Sequence, residues 1–564
     1  MTFLNKKYLF GGILENNNKL SQIKKYFLLN QNIIFLLTLV IISSIYIYLR
    51  INIQIILGPG WDTYDFLLNA LEFAGKGFGY YDLSRPPFLS FLTGIGFLIF
   101  GVSELIIFIL EGILFIFGVF GFYLLLKLFF KPYISFLGSL LFLSNPLILT
   151  WVSIGYSDIA SLSLLIWAVY FLFYGSKNNS NLVYISALFL GLSFLTRYNS
   201  ALIIFPFFLF FLMEKPKYKF SDILKYIFVF ILTIIPFLLF FFIKFGNPLP
   251  FIVTFNVTTV SAVETYWAYN SDIFYYVTNF NSFMSVYHLP GGLALLSLII
   301  VGFLTSIFNN MKKIKKEFKS ALNKNRINIF LILSLMLLLV FILSFNRVPY
   351  VLSQIIFLIF CYCMYNILRI FEINFKANLF FLSWFMVFFI FHSIFEIKVE
   401  RYFITMIPPL IYFVIFGLNS IYVWLKSNFK SYNPIYYFCI ALILLSCILP
   451  VNIWLINNYE SVMSSNEKFP DVNDAIYGSN WIKNNIPDYK EKIIYSDFLW
   501  PHLSWYLQME VKPFLAKDKI DRDQKLEEYE VKLFLSSLFN QDLENYILTE
   551  SKGNLTIYVK ELKN

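Results

Sequence analysis

The chain is poor in charge. Only 14% of its 564 residues are Asp, Glu, Lys or Arg, where a soluble domain carries about 25%. With 59% hydrophobic residues and a mean hydropathy of +0.69, that scarcity excludes a water-soluble globular protein of this size. Cysteine is scarce too. Cys361, Cys363, Cys439 and Cys447 lie inside apolar runs, and none has zinc-site spacing. The i, i+2 pair Cys361 and Cys363 does not share a helix face, so packing or lipid contact is expected of all four, not redox or metal chemistry. A cleavable signal peptide is not read either, because the first apolar run, 33–57, is long enough to span and no small-residue cleavage site follows it. The sequence also lacks solenoid repeats, a low-complexity tail and any nucleic-acid-binding motif. The net charge of +10 is therefore assigned to cytoplasmic loops, and no nucleic-acid partner is expected.

What the chain has in abundance is long apolar runs. About 20 such residues cross the hydrocarbon core. Runs near that length fall at 33–56, 104–129, 133–151, 158–175, 181–196, 199–213, 223–245, 290–308, 327–345, 350–370, 378–396, 402–425 and 434–456. The apolar stretch 86–100 is short and opens on two prolines, so it reads as an interfacial or re-entrant helix.

Lysine placement tests this count. Lys6, Lys7, Lys24 and Lys25 precede the first run. Alternate loops then carry Lys127 and Lys131, Lys177, Lys215 to Lys219, Lys312 to Lys319, Lys376, and Lys426 with Lys430. All fall on one side only if 86–100 does not cross, and the positive-inside rule makes that side the cytoplasm. The expected fold is a polytopic α-helical membrane protein of about thirteen transmembrane helices. It has a cytoplasmic arm (1–32), a membrane domain (33–456) with long outer loops at 57–103 and 246–289, and a small extracytoplasmic α/β domain (457–564). In that last part, 472–485, 500–507 and 521–539 read as helices, and 492–496, 546–549 and 555–559 as strands.

Charges at the mouth of a membrane bundle are costly and call for a reason. The expected outer face collects Asp62 and Asp65, one helical turn apart, with Arg85, Asp158, Arg197, Lys398 and Arg401. Carboxylates can take a proton from an attacking hydroxyl, and arginine holds phosphate through paired hydrogen bonds. Such a set suits transfer chemistry on an anionic substrate. The plainer alternative is that each charge snorkels to the interface and pairs with a neighbour.

Four segments carry a resemblance: Trp61-Asp62-Thr63-Tyr64-Asp65 through Arg85-Pro86-Pro87, Ser144-Asn145-Pro146 to Ser157-Asp158, Gly191-Leu192-Ser193-Phe194-Leu195-Thr196-Arg197-Tyr198, and Lys398-Val399-Glu400-Arg401-Tyr402. In this order they resemble the GT-C superfamily of glycosyltransferases. The likeness is to the branch of dolichyl-phosphate-mannose–protein mannosyltransferases and lipid A aminoarabinose transferases. The resemblance implies a hexosyltransferase or mannosyltransferase-like enzyme. It would pass a sugar, with inversion, from a polyprenyl-phosphate carrier in the membrane lipid to a glycan, lipid or protein acceptor on the outer face. It also implies Asp62 as the general base, Asp158 as a second acid, and Arg197, Lys398 and Arg401 on the carrier phosphate or sugar, with Arg85 there or bracing the loop. Relatives commonly have Asp-Glu where this chain has Asp62-Thr63, so Asp65 shares or exchanges the role. A divalent metal ion is the one candidate cofactor, with Asp158, His288 and His392 as its candidate ligands, although no fixed spacing supports it. The competing class is a transporter or flippase of lipid-linked saccharide, which would show paired halves and broken midplane helices.

Overall fold

All thirteen apolar runs fall in helical segments, but of unequal length and not always as one helix. The computed structural model describes residues 5–178, 181–215, 217–247, 249, 252, 268–285, 291–322, 325–429, 433–516, 519–537, 543 and 545–561. Among the described residues, nine helices are long and apolar enough to cross a membrane, the first being Asn30–Leu57. The shorter apolar helices Pro132–Leu143, Leu182–Thr196, Tyr198–Met213 and Asn328–Ser344 lie in the four remaining runs. The chain is a polytopic helical membrane protein; by length alone nine of its expected thirteen crossings are met. The four cysteines are free and buried, as packing residues are.

Two departures from the expected runs matter for function. The run 133–151 is not one helix. Pro146 has no N–H to continue the ladder and disfavours a helical residue before it. Asn145 is extended instead, and its side chain accepts from the N–H groups of Leu147 and Ile148, capping a new helix, Pro146–Trp151. Beyond it the chain bends at 152–156 and enters helix Ser157–Lys177, which carries Asp158 in its first turn. Likewise the runs 199–213 and 402–425 open as the 3-10 turns Tyr198–Ile203 and Glu400–Met406. Arg197 and Arg401 thus stand at helix ends, where a guanidinium can reach sideways.

The loop 57–103 holds two helices, Trp61–Phe73 and Pro87–Phe100. The second has 14 residues. At 1.5 Å per residue it is about 21 Å long, against a hydrocarbon core of about 30 Å. It buries Leu89, Ser90, Thr93 and Phe97 and exposes Leu98, Ile99 and Phe100, as an interfacial helix should.

The C-terminal domain forms one sheet in the order β2-β1-β3-β5-β4. Its strands are β1 (Ile494–Ser496), β2 (Val511–Pro513), β3 (Leu533–Ser536), β4 (Tyr546–Lys552) and β5 (Leu555–Lys560). β2, β1 and β3 run parallel, and β5 pairs antiparallel with both β3 and β4. The expected helix over 521–539 is corrected: the helix is Lys519–Glu528, the chain turns through Glu530 at φ 48°, and β3 follows. All four residues of β3 are buried, because a strand covered on both faces loses its apolar–polar alternation. The short apolar run then looks helical by periodicity.

The domain sits on the loop 57–103. The Trp61 indole N–H donates to the Phe498 carbonyl (3.2 Å), the Trp505 indole N–H donates to Glu104 Oε1 (2.8 Å), and the Tyr64 and Tyr506 hydroxyls meet at 2.9 Å. The His502 ring lies 4.2 Å from that of Tyr64. The aromatic run 500–506 therefore packs the domain against helix Trp61–Phe73.

Candidate active site

The site is assembled where four segments end together. Helix Trp61–Phe73 begins at Gly60, whose Cα is so close to the Tyr156 hydroxyl that a Cβ would stand 2.8 Å from it. Asp62 lies in the helix's first turn, where the exposed N–H dipoles favour an anion. The segment 80–85 folds back over this helix. Asn69 and Asp82 exchange two hydrogen bonds of 2.9 Å, and the Tyr80 hydroxyl donates to Asp65 Oδ1 at 2.7 Å. Arg85 is thereby brought between the acids, with a nitrogen 2.9 Å from Asp62, 2.7 Å from Asp65 and 3.3 Å from Asp82.

From the other side comes Arg401. Its Nη2 is 2.8 Å from Asp62 Oδ2 and its Nη1 3.9 Å from Asp158 Oδ2. The guanidinium lies over the ring of Tyr156, 4.7 Å from its centroid, and Trp151 stacks on Tyr156. Trp151 is held in turn by an indole N–H donated to Glu400 (3.0 Å). Arg197 pairs with Asp158 at 2.7 Å, and its guanidinium faces the ring of Tyr402. The segment before Arg401 is fixed by an antiparallel bridge, Tyr269 to Ile397, flanked by Asn270 N–H to Glu396 O (2.8 Å) and Lys398 N–H to Ala268 O (3.0 Å).

Asp62, Asp65, Asp158, Arg85, Arg197 and Arg401 are thus in one cluster. Asp62 and Asp65 are not equivalent. Asp65 is 1% exposed and fully engaged by Arg85 and Tyr80; Asp62 is 17% exposed. Burial alone would raise the Asp62 carboxyl, but Arg85 and Arg401 together hold it well below the usual carboxylate range. Burial pushes Asp65 the other way, up to about 7, against the pull of Arg85 and with the help of Asp82. Two carboxyls a helical turn apart are driven in opposite directions by their surroundings.

Lys398 does not join the cluster: its ammonium donates to the Phe395 carbonyl at 2.8 Å. His392 is buried against Tyr402, and His288 lies outside the described residues. Among the described residues no group of three or more His, Cys, Asp or Glu side chains comes together as a metal-ligand set. Trp151, Tyr156, Tyr80 and Asp82 complete the cluster; Tyr80 and Tyr156 stand in the outer segments that the sequence brings forward, whereas nothing in the sequence singles out Trp151 or Asp82. A clue was present for Tyr156, which lies two residues before Asp158.

Residues 84–241 match the family profile of dolichyl-phosphate-mannose-protein mannosyltransferases. That stretch begins beside Arg85 and contains Asp158 and Arg197. No curated protein matches the sequence. Among solved structures, ArnT from Cupriavidus metallidurans bound to undecaprenyl phosphate is similar with a TM-score of 0.55 at 12% identity, over 93% of this chain and 98% of that one. The Archaeoglobus fulgidus oligosaccharyltransferase in its apo form is similar with a TM-score of 0.51 at 13% identity, over 89% of this chain and 69% of that one. What this chain shares with them is architecture: it has the fold of the GT-C glycosyltransferases, the superfamily its motifs resemble.

Proposed function

We propose that the chain is a membrane glycosyltransferase that moves a sugar from a polyprenyl-phosphate carrier to an acceptor hydroxyl on the outer face, with inversion. The observation that carries this reading is Asp62, the accessible acid, set between Arg85 and Arg401 with Asp158 and Arg197 alongside. The likeness to a protein solved with undecaprenyl phosphate supports the carrier class.

In this reading the acceptor oxygen gives its proton to Asp62 and attacks the anomeric carbon from the face opposite the phosphate. The bond between that carbon and the phosphate oxygen breaks, its electron pair goes to the oxygen, and the carrier phosphate departs. Arg401 and Arg197 bear the growing charge. While Arg401 rests on Asp62, the carboxylate is a weak base. A donor phosphate competes for Arg401, frees Asp62 Oδ2 and makes it more basic once the donor is in place.

The orientation also has support. Lys127 and Lys177 end the helices whose other ends lead to Glu104 and Asp158, and Lys376 begins the helix that leads to Arg401. Basic residues therefore stand at the end of the bundle opposite the site, which by the positive-inside rule turns the site and the C-terminal domain outward. Comparing lipid-linked and surface glycans of cells with and without the protein tests the reading. A missing sugar with its carrier-linked donor accumulating is expected. An unchanged glycan profile together with saccharide translocation by the purified protein in liposomes would favour the transporter or flippase instead.

A further inference from the structure

Glu111 is the only acidic residue between Glu104 and Asp158, and Arg50 is the only basic residue between Lys25 and Lys76. Both lie inside membrane helices and both are buried, Glu111 completely. Neither belongs to the cluster around Asp62. A lone buried carboxyl in hydrocarbon is expensive and marks a function by default.

Its partner shows what that function is. Glu111 Oε2 accepts the backbone N–H of Gly155 at 2.6 Å. Gly155 sits at the centre of the bend between Pro146–Trp151 and Ser157–Lys177, with φ +94°, and Ser153 beside it has φ 57°. A bend with two residues in the left-handed region cannot satisfy its own backbone groups by helical hydrogen bonding. Three groups in and just before it are met from outside. Glu111 takes the Gly155 N–H, Thr63 Oγ1 donates to the Ile154 carbonyl (2.9 Å), and Arg50 Nη2 donates to the Thr150 carbonyl (3.1 Å). This bend delivers Tyr156 beneath Arg401 and Asp158 against Arg197.

We infer that Glu111 is a positioning residue of the transfer reaction, holding the 152–156 bend through the Gly155 N–H and so placing Asp158 and Tyr156. The assignment rests on the transferase reading for its kinetic consequence but not for its structural one. It acts by accepting a hydrogen bond, so an amide oxygen replaces it and a hydrocarbon does not.

The test uses the full chain, purified in detergent, as Glu111→Gln, Glu111→Leu and Thr63→Val. Hydrogen–deuterium exchange of peptides covering 150–158 is read beside turnover of a polyprenyl-phosphate-sugar donor. Glu111→Leu is expected to exchange at least about tenfold faster across the bend, leaving 160–175 unchanged. Its kcat falls on the order of 100-fold with the donor KM within about twofold, as for a displaced but intact catalytic group. Glu111→Gln keeps native exchange and turnover within about threefold, and Thr63→Val loosens the same peptides partly. Native exchange in Glu111→Leu would overturn the inference, as would Glu111→Gln behaving like Glu111→Leu, or a raised KM at native kcat. Should Glu111→Leu fail to fold, Glu111→Gln and Thr63→Val decide the matter by the same peptides. Should the wild type use no such donor, the transferase reading fails and exchange alone decides whether the clamp exists.

Discussion

Gly155→Ala is the sharpest small perturbation the structure offers. An added Cβ would stand 2.4 Å from Thr63 Cγ2 and 3.2 Å from Ile107 Cγ2. Carbon atoms in contact need about 3.5 Å or more, so the bend must move by roughly 1 Å. Two costs add. An L-residue in the left-handed region costs about 1–2 kcal/mol, and overpacking a filled site costs about 1–3 kcal/mol. The variant is expected to lose roughly 2–5 kcal/mol. Asp158 follows three residues on, with its ion pair to Arg197 at 2.7 Å. A displacement of that size lowers transfer on the order of 100-fold. A double-mutant cycle with Thr63→Ala separates the two costs. Thr63→Ala alone loses about 1 kcal/mol with its hydrogen bond to Ile154, but it removes the methyl that the new Cβ meets. The pair should therefore be more stable than the sum of the singles by about 1–3 kcal/mol. Thermal unfolding in detergent, followed by tryptophan fluorescence, reads all four corners. Gly155→Ala within about 0.5 kcal/mol of wild type, or additivity in the cycle, would mean that the bend takes a Cβ without strain.

Three further outcomes follow from single side chains. Arg401→Lys keeps the charge but loses the planar fork that meets Asp62 and stacks on Tyr156; donor KM should rise at least about tenfold with thermal stability little changed, and an unchanged KM would remove Arg401 from the phosphate. Trp505→Ala deletes a 7%-exposed indole bonded to Glu104, costing the docked domain about 3 kcal/mol; protease cleavage at 465–470 should quicken, and equal cleavage rates would show that the domain docks by other contacts. His502 is held neutral by burial, which lowers it to about 3 from the ordinary 6.5. The unfolded chain gains a proton as pH falls below 6.5 while the folded chain does not until about 3, so stability drops across that window. His502→Phe should flatten the drop between pH 6.5 and 4, and an identical acid profile in both proteins would contradict it.

Which features were legible in the sequence follows from their physics. Asp62, Asp158, Arg197 and Arg401 stood out because charge is rare near hydrocarbon and these four mark helix ends on one side of the bundle. Lys398 stood out on the same grounds, yet an extended segment alternates its side chains. With 396–398 paired to 268–270, Lys398 turns back to Phe395 while Arg401, in the following 3-10 turn, reaches Asp62. The break at Ser144-Asn145-Pro146 was visible as a motif but read as part of one apolar span, since hydropathy does not register a missing N–H. Glu111 escaped notice inside a run of 23 mostly apolar residues, because its importance lies in a hydrogen bond to a bend 44 residues away. β3 was taken for helix because a strand buried on both faces has no period of two.

Asp62, as proposed, takes the acceptor's proton in transfer from a polyprenyl-phosphate sugar. Carrier phosphate released by the purified protein in liposomes reads that role. The assay supplies polyprenyl-phosphate-linked sugars and an envelope extract as acceptor, and compares wild type with Asp62→Asn. Acceptor-dependent release by the wild type is expected, with a loss of about 100-fold or more in Asp62→Asn inserted and folded normally. Equal release by both proteins would contradict it.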